Sequence, residues 1–82
     1  MIKQKLLETG FIEENESFEK YLTIVSNPDT GGYVERHHIL PASYFRVVGI
    51  PIDNTKSNLV TLSPYNHILA HYYLYQCVRN EE

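Results

Sequence analysis

The chain has one cysteine, no long apolar run and no excess of positive charge, and each shortage removes a class of protein. With Cys77 as the only cysteine, no internal disulfide framework exists, and the chain reads as belonging to a reducing, cytoplasmic setting. No uninterrupted apolar stretch approaches the roughly 20 residues of a membrane span. The opening "MIKQKLLETG" lacks the apolar stretch and small-residue cleavage site of a secretory signal. The sequence therefore predicts a soluble cytoplasmic protein with no membrane partner. No internal repeat or low-complexity tract occurs. The net charge of −3 argues against a polyanion binder on average, yet the charges are unevenly distributed. Residues 1–32 set Lys3, Lys5 and Lys20 against Glu8, Glu13, Glu14, Glu16, Glu19 and Asp29, whereas residues 33–82 balance to zero. Because Glu81 and Glu82 end the chain, the middle of the second segment is locally basic, which permits phosphate contacts.

What remains is a chain of 82 residues with 43% apolar content, enough for one small domain with a modest core. Packing alone gives thin stability at this size, and such chains recruit a metal, a disulfide or a partner. The "NPDTGG" stretch, Asn27 to Gly32, is a turn or linker signal that divides a helical extension, residues 1–32, from a second segment, residues 33–82. The extension predicts a helix around Ile2 to Glu8 closed by Gly10. A second helix follows with Asn15 as its N-cap and Phe18, Tyr21, Leu22 and Val25 as an apolar stripe, read as packing without chemistry.

Beyond the linker the hydrophobic period changes. "YVERHHIL" suits a short strand ended by Pro41, and "NLVTL", Asn58 to Leu62, suits a second. Between them Ala42 to Ser57 reads as a long connection carrying Gly49, Pro51, Asp53 and Asn54. Ser63-Pro64 opens a helix expected to run to about Arg79, because serine caps and proline is tolerated at the first helical position. Ile68, Tyr72 and Tyr75 are expected to face the core, with His71 and Val78 extending that stripe. The fold class is α+β: a small strand–strand–helix unit preceded by a helical segment that packs on it.

All four histidines lie in this second segment. His67 and His71 are four apart on the predicted helix, so they share a face and stand roughly 6 Å apart along its axis, which is metal-ligand spacing. The alternative is two unrelated histidines that happen to share this spacing. His37 and His38 are adjacent. Strand alternation sends adjacent side chains to opposite faces, so each of them can be an ordinary half-buried histidine. If the strand is ending at Pro41, both can serve one site in different roles. Three neutral imidazoles with an open fourth position are the pattern of a catalytic metal rather than a closed structural one.

The order "ERHHILP", "NLVTL", "HILAH" closely resembles the HNH nuclease family, built on the ββα-metal motif, over residues 35–74. The resemblance implies that His37, His67 and His71 bind one divalent ion (zinc, nickel, manganese or magnesium) and that His38 is the general base. It implies that Asn58 ties the long loop to the hairpin and so holds that base in place, counting it among the catalytic residues. It implies hydrolysis of DNA phosphodiesters, most simply double-stranded, leaving 5′-phosphate and 3′-hydroxyl ends. Arg36, Arg46 and Lys56 border the site as candidate phosphate contacts. The chemistry favours the same residue types: histidine titrates near neutrality and suits a proton acceptor, a cation neutralises developing phosphate charge, and an all-imidazole site suits zinc or nickel better than magnesium.

Smaller features have two readings each. Glu35 either orients a ligand histidine or is a solvated strand carboxylate. Tyr72, Tyr73 and Tyr75 stack on bases or belong to the core and rim. Cys77 reads as a small buried hydrophobe. A homodimer would suit a nuclease that cuts both strands. The terminal "NEE" sets acids at a helix C-terminus, so either the helix frays or the chain is truncated from a longer protein. The competing function is a non-catalytic module in which metal staples a small core and the surface binds nucleic acid or protein.

Overall fold

The computed structural model describes residues 2–79. Among the described residues are four helices and a two-stranded antiparallel sheet. Helix α1 spans Ile2–Glu8 and buries Leu6. Gly10, at φ 71°, turns the chain out of it in a backbone conformation that costs glycine least. Helix α2, Glu16–Val25, begins where the Asn15 side chain accepts the amide of Phe18 at 2.9 Å, satisfying a donor the helix cannot. Its inward face holds Phe18, Tyr21 and Val25.

The linker does not hang free. Asp29 accepts from the Ser63 amide at 2.8 Å and the Asn66 side chain at 2.9 Å, and its own amide donates to Thr61 O at 2.9 Å. One carboxylate thus fastens the linker to the start of the last helix. Strand β1, Glu35–His38, pairs with β2, Leu59–Leu62, in a register that sets His37 opposite Val60 and Glu35 opposite Leu62. Val60 and Leu62 are buried, so Glu35 and His37 lie on the inward face. Helix α4, Pro64–Cys77, starts with Ser63 capping the Asn66 amide at 3.2 Å and Pro64 in its first turn. It packs along α2 and against both strands, and one hydrophobic cluster joins Leu6, Phe18 and Val25 to Leu62, Ala70 and Leu74.

Three expectations are corrected. The connection after Pro41 is half helical: α3, Ala42–Val48, buries Phe45 and ends at Gly49 in the left-handed conformation. Asn58 does not open β2 but closes a 3-10 turn, Lys56–Asn58. Helix α4 stops at Cys77 because Val78 leaves it to bridge Ile12, with the Arg79 amide donating to Phe11 O at 2.8 Å. The terminal "NEE" lies outside the described residues. Among the described residues no helix is long and apolar enough to cross a membrane.

Candidate metal centre

The two structural periods bring three histidines to one point. The period of β1 aims His37 inward, and the i, i+4 spacing of α4 puts His67 and His71 on the face that meets it. Ring centroids stand 5.2 Å apart for His37 and His67, 5.0 Å for His37 and His71, and 4.9 Å for the helical pair. One nitrogen from each of the three lies within 4.8 Å of the others. The His67 and His71 Nε2 atoms are already 3.2 Å apart, close to the roughly 3.3 Å that two nitrogens bound at 2.0–2.1 Å to one tetrahedral ion would show. The three can hold a metal ion.

For two of the three, partners outside the cluster fix which nitrogen carries the proton, while His71 has only His67 as a partner. The Tyr21 hydroxyl donates its one proton to Ile39 O at 2.7 Å. It must therefore accept from His37 Nε2–H, 2.8 Å away, and His37 keeps its Nδ1 lone pair. Glu35 Oε1 accepts from His67 Nδ1–H at 2.8 Å, which leaves His67 Nε2 bare. Carboxylates and hydroxyls that fix ligand tautomers in this way raise metal affinity. The sequence alone left Glu35 with two readings; the structure gives it a histidine partner. Tyr21 corrects the reading of its stripe as packing without chemistry. The clue was a tyrosine where a phenylalanine would pack, since a buried phenol needs a partner.

Burial disfavours the charged form of two of these rings, His37 and His71. His37, 2% exposed, has its pKa pulled down to about 3, first by desolvation and then by the neighbouring His71, His67 and His38 rings. His71 is lowered by burial and by His67. Glu35 is held below the usual carboxylate range by the bond from His67, helped by the Tyr33 hydroxyl 3.3 Å from its other oxygen. Neutral imidazoles are the ligand form.

His38 ends β1, half-buried, outside the three-histidine group. Its Nε2 donates to Asn54 Oδ1 at 2.6 Å, which leaves the lone pair on Nδ1. Asn54 is a loop residue that sequence reasoning treated only as a turn former, and no periodicity marks it. Asn58 is wholly buried. Its Oδ1 accepts from the Leu40 amide at 2.8 Å, and its Nδ2 donates to Leu40 O at 3.2 Å and Asp53 O at 2.9 Å. The side chain is occupied by backbone, so it ties the loop to the end of the hairpin and does not join the histidines. Arg36, Arg46 and Lys56 are exposed on β1, α3 and the 3-10 turn. Cys77 is buried, its thiol pushed up to about 11 by desolvation.

The face of α4 beside the centre corrects another expectation. Ile68, Tyr72 and Tyr75 do not face the core but stand exposed; Ala70, Leu74 and Cys77 are the buried residues. No family model, curated protein or solved structure matches the chain.

Proposed function

We propose that the protein is a metal-dependent endonuclease of the HNH type that hydrolyses DNA phosphodiester bonds. The observation that carries this reading is the division of labour among the histidines. His37, His67 and His71 gather one ring nitrogen each within 4.8 Å of the others, while His38, next in sequence to a ligand, is left out of the group with one nitrogen free. A structural site has no need of that fourth ring, and a closed structural zinc site takes four protein ligands rather than three.

When bound, a divalent cation would neutralise charge on the scissile phosphate and the departing oxygen. The remaining work belongs to this chain. Asn54 holds the His38 Nε2–H, so Nδ1 accepts the proton from attacking water. Tyr21 and Glu35 hold two ligand tautomers. Asn58 fixes the backbone on either side of the loop that carries Asn54. Arg46 and Lys56, both exposed, are the candidate phosphate contacts that position DNA without reading its sequence, whereas Arg36 lies on the face of β1 opposite His37. Nitrogen ligands favour zinc or nickel, accept manganese, and suit magnesium least. The single cysteine fits a cytoplasmic setting.

Supercoiled plasmid should be nicked on addition of a divalent ion, chelator should stop the reaction, and His38→Ala should lose it. Cleavage by His38→Ala at the parent rate would remove the assigned base. A protein that binds metal and cuts no nucleic acid under any ion would instead be a metal-stapled binding module.

A further inference from the structure

Helix α4 carries a second, unpartnered seam. Tyr65, Ile68, Tyr72 and Tyr75 are spaced by three, four and three residues, the a/d spacing of two heptads. They are 71%, 70%, 56% and 81% exposed respectively. The fourteen residues of the helix include no Asp, Glu, Lys or Arg. Apolar and aromatic residues occur on every side of the helix, yet its buried residues are Ala70, Leu74 and Cys77, on the side of α2 and the hairpin. Ile68, Tyr72 and Tyr75 of the seam also wall a groove of about 830 Å³ with Phe11, Pro41 and Val78, and His71 of the histidine cluster opens onto it.

We infer that a second copy of this chain covers the seam, in an antiparallel α4–α4 pairing about a two-fold axis. The spacing is self-complementary when reversed. Tyr65 meets Tyr75 of the other copy and Ile68 meets Tyr72, so aromatic pairs close both ends and a branched aliphatic packs on an aromatic at the centre. Such an interface is isologous. The absence of charge on α4 means that two copies with net charge −3 meet without like charges at the contact. Exposed side chains of this size offer roughly 150–250 Å² each, so the four residues supply on the order of 500 Å² at their observed exposures. The groove walls bring this towards the ~800 Å² per partner of a stable interface. His71 flanks the stripe on one side only, so the two-fold sets one histidine cluster on each flank of the seam.

The pairing stands apart from the nuclease reading, and its test uses neither metal nor nucleic acid. Sedimentation of the full chain with chelator present, from 1 to 500 μM (roughly the range over which a modest interface associates), should show a monomer–dimer equilibrium. Ile68→Glu and Tyr72→Lys each alter an exposed side chain, so both should keep the wild-type circular dichroism and dimerise at least tenfold more weakly. An equimolar mixture of the two should recover the dimer, because the new glutamate of one copy faces the new lysine of the other while the second Ile68–Tyr72 contact stays native. A wild-type chain monomeric across the range would overturn the inference. So would a dimer that Ile68→Glu leaves as tight as before, or a mixture that shows no recovery, which would place another surface, another register or another occupant at the seam.

Discussion

Replacing Tyr21 with phenylalanine removes one oxygen and leaves a fully buried ring in place. That oxygen accepts from His37 and donates to Ile39 O. Losing it strands two buried polar groups, at about 1–3 kcal/mol each where no relaxation is possible. His37 can relax: its proton moves from Nε2 to Nδ1, which removes the lone pair the metal needs. The stability cost of the metal-free protein should therefore be near the lower end, about 2 kcal/mol, while metal affinity falls ~10–100-fold. Competition against a chromophoric chelator reads the affinity, and urea unfolding with and without metal reads the coupling. At a free metal concentration of about 100 times the wild-type Kd, metal should add about 2.7 kcal/mol to the wild type. A tenfold weaker variant should gain only about 1.4 kcal/mol at that concentration. Phe18→Leu, in the same core, should cost on the order of 1 kcal/mol of stability and leave affinity unchanged. If Tyr21→Phe binds metal like the wild type, or if Phe18→Leu loses affinity equally, the hydroxyl does not set the His37 tautomer and the reasoning fails.

In chelator, stability should fall with acid from about pH 6.5 downward. His37 is neutral in the fold, with a pKa near 3, whereas an unfolded histidine takes up a proton near 6.5; the unfolded state therefore binds more protons across that interval, and stability declines until about pH 3. A urea midpoint that stays constant from pH 7 to pH 4 would contradict this. Asn58→Ala strands the Leu40 amide and the Leu40 and Asp53 carbonyls at once and should cost about 3 kcal/mol, lowering Tm by more than ~10 °C. A loss below about 1 kcal/mol would show that water replaces those bonds.

Local signals read well from the sequence where one residue type does one job. Asn15, Gly10 and Ser63-Pro64 marked helix ends because capping and glycine geometry are local. The His67–His71 spacing placed both rings on one face because helical periodicity fixes it. Helix α3 was missed because seven residues between Pro41 and Gly49 are too few to display a period, and Pro51, Asp53 and Asn54 drew the whole segment into a loop. The facing of α4 is hidden for the opposite reason: with apolar residues on every side, periodicity cannot say which side is covered. Tyr21 lay hidden because a stripe of apolar positions describes carbon, and its oxygen acts across sixteen residues on His37. Asn54 reaches His38 over the same separation. Both pairings depend on tertiary placement that no local pattern encodes.

The most direct test replaces each histidine singly with alanine and measures metal stoichiometry beside plasmid nicking. One equivalent of metal should bind the parent and His38→Ala alike, and His37→Ala, His67→Ala and His71→Ala should each lose it, with nicking absent from all four variants. Metal retained at full affinity after loss of any one of the three, or lost from His38→Ala, would contradict the arrangement of three ligands and one free ring.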